Sequence, residues 1–254
     1  MPVALTRGVS PSIVRCELTH LEREPIDVGV AEKQHRCYET ALSELGCSVR
    51  SLHAEPEMPD SVFVEDIAVV VEELALITRP GATSRRAETP GVEKVLREYR
   101  GLARISEPGT IDGGDVLVVG RDIYVGLSGR TNEEGLRQTQ EVFGPFGYTL
   151  TGVPVRGCLH LKSAVGLVAP NTLLINGQWV DRAAFGDREF IDVDPSEPGA
   201  AGALLIVDTV LYPTRFVRTL ERLTEAGIRV RAVDLSELAK AEAGVTCCSL
   251  VFTA

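Results

Sequence analysis

A short β-hairpin signal recurs along the chain, and this repeat constrains the fold more than any other feature. Ile67–Val71 returns through Leu74–Thr78, Asp115–Val119 through Ile123–Gly126, and Val165–Ala169 through Leu173–Ile175. Ala203–Val207 returns through Thr209–Tyr212, and a last run, Ser249–Phe252, stands without a return strand. Each run is rich in β-branched and aliphatic residues and is broken by turn residues, as hairpin strands are. The five starts, at Ile67, Asp115, Val165, Ala203 and Ser249, lie 48, 50, 38 and 46 residues apart. A near-fixed period of this length marks an array of like units.

Between hairpins the apolar spacing changes from two to three or four, the helical period. Val92, Val95, Leu96 and Tyr99 place a helix near Glu93–Arg100. Thr131-Asn132-Glu133-Glu134 caps a second over Asn132–Phe143, with acidic residues in its first turn. Tyr212-Pro213-Thr214 opens a third, carrying Phe216, Val217, Leu220 and Leu223 and stopped by Gly227. The interval around Val180–Phe185 carries the faintest helical pattern. Each helix leads to a further strand: Ala103–Ser106, Tyr148–Val153, Phe190–Val193 and Arg229–Val233. The last unit lacks its helix and closing strand, and the N-terminal segment supplies both: Val3–Arg7, a helix over Asp27–Leu45 ended by Gly46, and Ser48–Leu52. The expected architecture is therefore an α/β ring of five ββαβ modules closed by the two termini, which shields strand edges as a propeller does. No linker or shift of composition divides residues 1–254, so one domain is expected.

Composition narrows the function. Twenty-six basic against 36 acidic residues give a net charge of −10. No basic stripe is available to track phosphates, so nucleic acid is not the expected partner. No apolar run approaches the ~20 residues that span a bilayer, and Met1–Arg7 lacks the apolar stretch of a signal peptide. A cytoplasmic protein with no membrane partner is expected. Its six cysteines, Cys16, Cys37, Cys47, Cys158, Cys247 and Cys248, should then be reduced. With no CxxC pair, neither a zinc cage nor a dithiol redox site is expected.

Polar residues stand at matching places in the repeat. Asp60-Ser61-Val62-Phe63-Val64-Glu65-Asp66 precedes the first hairpin, Asp112-Gly113-Gly114-Asp115 the second, Cys158-Leu159-His160-Leu161-Lys162-Ser163 the third, and Thr246-Cys247-Cys248 the last. The fourth has only Gly199-Ala200-Ala201-Gly202 there, which leaves space. In a ring, equivalent positions surround one axis, so carboxylates, an imidazole and a thiol should converge at one end of it. A Cys–His–carboxylate set activates a thiol, because the base moves protons and the carboxylate orients the base. Additional carboxylates beside that set favour a cationic substrate. Two such groups, Asp66 and Asp112, are expected to repel and to raise at least one carboxyl pKa in the empty site.

These stretches resemble the dimethylarginine dimethylaminohydrolases of the pentein, or guanidino-group-modifying, superfamily. The resemblance is carried by Ser61–Asp66, Ile77-Thr78-Arg79-Pro80-Gly81 through Arg86, Asp112–Leu117, Val125–Asn132, Leu159–Ser163 and Thr246-Cys247-Cys248-Ser249, in that order along nearly the whole chain. Only about Gln178 to Ala203 is hard to match. The resemblance implies the five-module α/β propeller. It also implies hydrolysis of Nω-methylated L-arginines to L-citrulline and methylamine or dimethylamine, with no metal and no organic cofactor.

Carried over by position, the resemblance makes Cys247 the nucleophile, His160 the general acid and base, and Asp112 the carboxylate that pairs with the imidazole. Asp66 becomes a guanidinium ligand, and Asp60 and Glu65 become further acids of the substrate site. Arg85 and Arg130 receive the substrate's α-carboxylate. Leu18, or a neighbour in the Arg15–Val28 loop, covers the site, and Cys248 is structural. The partner is thus a small cationic amino acid. The nearest alternatives are an arginine deiminase, which generally carries an extra helical domain, and an agmatine deiminase, whose substrate lacks the carboxylate that Arg85 and Arg130 would meet. A non-catalytic arginine-binding protein on the same fold is a third, against which the intact Cys247, His160 and Asp112 set argues.

Overall fold

A computed structural model describes all of residues 1–254. The chain opens with β1 (Pro2–Arg7), α1 (Val28–Glu44) and β2 (Ser48–Leu52). Next come β3 (Ala68–Val70), β4 (Leu74–Ile77), α2 (Thr89–Leu96) and β5 (Gly101–Arg104), and then β6 (Val116–Val119), β7 (Asp122–Leu127), α3 (Glu133–Phe143) and β8 (Thr149–Pro154). A single-turn helix, α4 (Leu161–Ala164), leads into β9 (Val165–Ala169), β10 (Thr172–Ile175) and β11 (Glu189–Asp192). The chain continues through β12 (Leu204–Ile206), β13 (Thr209–Pro213), α5 (Val217–Glu225) and β14 (Val230–Val233), and finishes with α6 (Ser236–Ala239) and β15 (Leu250–Thr253).

The strands form five three-stranded sheets, ordered β15-β1-β2, β3-β4-β5, β6-β7-β8, β9-β10-β11 and β12-β13-β14. In each, the first two strands are antiparallel. The third runs parallel to the middle one. Antiparallel neighbours need only a tight turn, whereas the parallel step needs a crossover, which is where the helices sit. The sheet made by both termini is the one expected to close the ring, with Val3 opposite Phe252 and Ser48.

Helix starts follow local chemistry. The Asp27 side chain accepts from Val30 N at 3.0 Å and the Asn132 side chain from Gly135 N at 2.8 Å, each satisfying an otherwise orphan first-turn donor. Three boundaries differ from expectation. α2 starts at Thr89 because Pro90 fits the first turn, where its missing N–H costs nothing. Pro213 ends β13 instead of opening a helix, so α5 begins at Val217. The weak Val180–Phe185 interval forms only a 3₁₀ turn over Arg182–Phe185, whose job is to bury Phe185 against Tyr124, with ring centroids 4.8 Å apart.

Apolar packing closes the ring. Five clusters of buried residues lie between modules, not within them. One joins β1, β3 and β4 through Val3, Leu5, Ala68 and Ile77. The next three join successive modules, through Leu76 with Ile123, Leu117 with Leu173, and Leu174 with Val210. The largest joins the fourth module to the one built from the two termini, with Leu211 and Val233 packed with Ala4, Tyr38 and Leu42. Residues of all five leading strands, among them Val69, Leu117, Leu167, Leu205 and Val251, also line one narrow axial cavity of about 200 Å³. No helix is long and apolar enough to cross a membrane.

Candidate active site

The leading strand of each module enters from a turn at one end of the axis, and four of these turns carry the polar residues. Glu65 and Asp66 lie in the 3₁₀ turn Val64–Ile67 before β3. Asp112 precedes the turn Gly113–Asp115 before β6. His160 is the cap residue of α4 before β9, and Cys247 lies in the turn before β15. Glu65 N donates to Cys247 O at 3.2 Å, tying two of these turns together. The fourth module contributes Gly199 and Gly202, and these line a cavity of about 400 Å³ that also opens onto Cys247, His160, Glu65 and Gly114. The space expected over the fourth module is therefore part of the site.

His160 is gripped from both sides. Its Nε2 lies 3.1 Å from Asp112 Oδ2 and its Nδ1 3.9 Å from Asp66 Oδ1. Asp112 is anchored in turn by Gly81 N at 2.9 Å, and Asp66 by Gly114 N at 2.9 Å. The Gly113-Gly114 pair is a steric requirement: a Cβ on Gly113 would fall 1.9 Å from Glu65 O, and one on Gly114 2.6 Å from His160 Nδ1. Asp115 braces the arrangement from behind, accepting from Leu161 N at 2.9 Å and from the Ser128 and Thr131 hydroxyls at 2.6 Å each. Asp66, Asp112 and His160 offer ligand atoms within 4.8 Å of one another, a spacing that suits a bound cation as well as an imidazole held between two carboxylates.

The charges of the empty site follow from burial and pairing. Burial alone would lower the His160 pKa, but the Asp66 charge, the Asp112 hydrogen bond and the nearby Asp115 push it up to about 9. Burial would raise Asp66, but the charges of His160 and Arg85 hold its carboxyl at about 2. The expected rise in carboxyl pKa thus does not occur at Asp66, because two cations flank it. The carboxyls that do rise are those whose burial outweighs their partners: Glu65, Asp60, Glu88 and Asp115, the last to about 6. The Cys247 thiol is pushed up to about 12 by burial and by the Glu65 and Asp66 charges. Gly244 N donates to its sulfur at 3.3 Å.

Cys248 is buried in the apolar cluster around Tyr38, facing away from the cavity that Cys247 lines. The two thiols diverge within a turn, since β15 begins only at Leu250.

Arg85 is 4% exposed and, like Arg130, Asp60, Asp66 and Asp112, is not among the residues that line the cavity. Its Nη1 donates to Asp66 Oδ2 at 2.5 Å, its Nε and Nη2 to Glu88, and Nη2 also to the Phe63 and Asp60 carbonyls. Of its five N–H groups, only one on Nη1 is left to meet a substrate. A guanidinium so enclosed chiefly compensates Asp66 and Glu88. Arg130 is freer: its Nη1 lies 3.8 Å from Asp112 and its Nη2 donates to Thr19 Oγ1 at 2.9 Å.

The Arg15–Val28 loop lies against the site. Leu18 packs on the edge of the largest apolar cluster, and His20 and Leu21 line the cavity. Asp60 accepts from Glu17 N at 3.2 Å, so this acid holds the loop. Two further residues complete the floor of the site. Lys162 donates to Glu65 Oε1 at 2.5 Å, and Thr246 to Glu65 Oε2 at 2.7 Å. Both sit inside the motifs already singled out, two residues after His160 and one before Cys247, which was the available signal.

Comparison with known proteins is concordant. A family model described as "N,N dimethylarginine dimethylhydrolase, eukaryotic" matches residues 21–191. The N(G),N(G)-dimethylarginine dimethylaminohydrolase of Streptomyces coelicolor is 43% identical over 97% of this chain and 95% of its own. That of Pseudomonas aeruginosa is 39% identical over 89% of this chain and 90% of its own. Among solved structures, a cysteine-to-serine mutant of the Pseudomonas aeruginosa enzyme complexed with citrulline superposes with a TM-score of 0.94, at 35% identity over 98% of both chains. A dimethylarginine dimethylaminohydrolase adduct with S-methyl-L-thiocitrulline gives 0.92, at 35% identity over 98% of both chains. The N-terminal domain of ArgZ, a cyanobacterial arginine dihydrolase, gives 0.86 at 17% identity over 99% of this chain and 97% of that one, a likeness of fold alone.

Proposed function

The chain belongs to the dimethylarginine dimethylaminohydrolase family, and from that premise we infer that it hydrolyses Nω-methylated L-arginines to L-citrulline and methylamine or dimethylamine. The observation that carries the reading is the His160 imidazole, clamped between Asp112 and Asp66, on the wall of the same cavity that the Cys247 thiol lines.

The substrate guanidinium enters beside Glu65 and Asp66. Burial, with the Glu65 and Asp66 charges, pushes the Cys247 thiol up to about 12; the substrate's positive charge offsets those two carboxylates, so binding favours release of the thiol proton to water. The thiolate attacks the guanidinium carbon. His160, protonated in the empty site, gives its proton to the departing alkylamine as the C–N bond breaks. An S-alkylthiouronium on Cys247 remains. Neutral His160 then takes a proton from water as the water oxygen bonds to carbon. The C–S bond breaks as the hydroxyl of the tetrahedral adduct gives its remaining proton to the departing sulfur, so neutral citrulline leaves and the Cys247 thiol is restored. One water is consumed, and the chemistry needs only thiol, imidazole and water. Splitting the displacement into two covalent steps lowers each barrier.

At the other end of the substrate, Arg130 receives the α-carboxylate and Asp60 the α-ammonium, with Leu18 covering them. Arg85 contributes at most its one remaining N–H. The five modules act as one catalytic unit over residues 1–254, since the cavity draws on several of them. All six cysteines are free, which suits the reducing cytoplasm.

The test is product analysis on Nω,Nω-dimethyl-L-arginine, L-arginine and agmatine in parallel. Equimolar citrulline and dimethylamine from the first, at a rate well above ammonia release from the others, is the expected result. Faster ammonia release from arginine or agmatine would make the protein a deiminase instead.

A further inference from the structure

We propose that Glu242 is a positioning residue for the substrate, an anionic clasp that holds the Glu17–Leu21 loop over the Cys247 cavity; the proposal rests on the reaction assigned above. The Glu242 carboxylate accepts from three successive backbone N–H groups on that loop: Thr19 at 3.1 Å, His20 at 2.5 Å and Leu21 at 2.6 Å. Successive amides converging on one anion form a nest, and a charged acceptor makes each bond stronger than its neutral counterpart.

The backbone of Glu242 is itself unusual. Its φ is +60°, the left-handed region that non-glycine residues seldom adopt and that costs free energy unless the surroundings impose it. Two residues later Gly244 N donates to Cys247 Sγ. One strained turn thus aims the clasp at the loop and cradles the nucleophile. His20, Leu21, Glu242, Gly244 and Cys247 all line the same cavity, so the clasp closes one side of it.

The loop has two other polar attachments to the proposed substrate-binding residues: Glu17 N donates to Asp60, and Arg130 Nη2 donates to Thr19 Oγ1. Both Asp60 and Arg130 are the groups that the substrate's α-ammonium and α-carboxylate would claim. Glu242 is not among them. When substrate competes for Asp60 and Arg130, the Glu242 clasp persists together with the hydrogen bond from Ser84 Oγ to Glu17 Oε1, and it is the clasp that grips the loop backbone beside Leu18 and His20.

The experiment compares E242G, E242Q and E242D with the wild type. Glycine accepts φ of +60° without strain, so E242G removes the carboxylate while sparing the backbone. The expected result is a rise in KM for dimethylarginine of about tenfold or more, with kcat within about threefold. Amide exchange at Thr19, His20 and Leu21 should accelerate while the melting temperature holds. E242Q keeps the shape with a neutral acceptor and should show a smaller KM rise; E242D keeps the charge and should recover part of the loss. Wild-type KM and unchanged exchange in both E242G and E242Q would overturn the proposal, as would a loss confined to kcat. Should the wild type fail to turn over dimethylarginine, the reaction reading fails, and exchange at Thr19–Leu21 alone then decides the clasp.

Discussion

Lys162 Nζ meets Glu65 Oε1 at 2.5 Å where the cavity holding Cys247 adjoins the axial cavity, and both residues line both spaces. Glu65 is buried, and burial raises its carboxyl pKa against the pull of Lys162. The ion pair floors the active site and keeps a second carboxylate charge beside the thiol.

Lys162→Met removes the compensating cation and leaves Glu65 buried without its charge partner. A broken buried pair of this kind costs about 3–5 kcal/mol, so a clear fall in melting temperature is expected. The double variant Lys162→Met with Glu65→Gln should recover much of that loss, because no uncompensated charge remains. Equal melting temperatures for wild type and Lys162→Met would show that the pair carries no structural weight.

Arg85 and Arg130 should separate on one pair of measurements. Arg85→Ala strands Asp66 and Glu88, both buried, and should destabilise the fold by about 3–5 kcal/mol in thermal melts. Arg130→Ala should leave the melting temperature nearly unchanged. It should lower kcat/KM for dimethylarginine at least about tenfold, the cost of a lost charged hydrogen bond. On a substrate lacking the α-carboxylate the Arg130 penalty should shrink. A penalty of the same size there would mean that Arg130 does not bind that group.

His160 predicts a pH dependence of stability. Its folded pKa, about 9, lies above its ordinary value of 6.5. The folded state therefore holds the proton more tightly, and the stabilisation is full below pH 6.5 and lost as pH rises through about 9. The size is ~3 kcal/mol. The ordinary Cys247 thiol value is 9.0, so its contribution begins only above this window. Chemical denaturation from pH 6 to 9 should show the loss in the wild type and a much flatter profile in His160→Asn. Parallel slopes would mean that His160 does not carry the raised pKa. Turnover in His160→Asn should fall by about 10²–10⁴ or more, since one imidazole serves both proton transfers.

The ring was legible because its signal is periodic. Val165–Ala169 and Ser48–Leu52 form strands with the expected ends, and the matching place of Asp66, Asp112, His160 and Cys247 ahead of four leading strands is what brings them to one end of the axis. Partnerships were not legible. Whether Arg85 faces a ligand or a neighbour depends on where Glu88 and Asp66 point, which is a tertiary matter. The same holds for Glu242, whose partners lie more than two hundred positions earlier in the chain. Local punctuation also misled where one residue suits two roles: Pro213 reads as a helix opener but serves as the last residue of an edge-to-middle pairing with Val233. The Asp66 carboxyl is held low and not raised for the same reason, because sequence shows the anions without His160 and Arg85 folded beside them.

In the proposed reaction Cys247, and neither Cys248 nor Cys158, forms the covalent intermediate. Cys158 and Cys247 both line the cavity, while Cys248 is fully buried, so a thiol-directed probe could in principle reach the first two. The direct measurement is peptide mapping by mass spectrometry after the protein is treated with an amidine analogue of arginine bearing a good leaving group. The thiolate displaces that group, and a stable sulfur–carbon bond marks the attacking residue. One adduct per chain, placed on Cys247 and not the adjacent Cys248 by fragment ions, blocked by excess dimethylarginine and absent from Cys247→Ser, is the result predicted. Modification of Cys248 or Cys158 with loss of turnover, or full citrulline formation by Cys247→Ser, would contradict it.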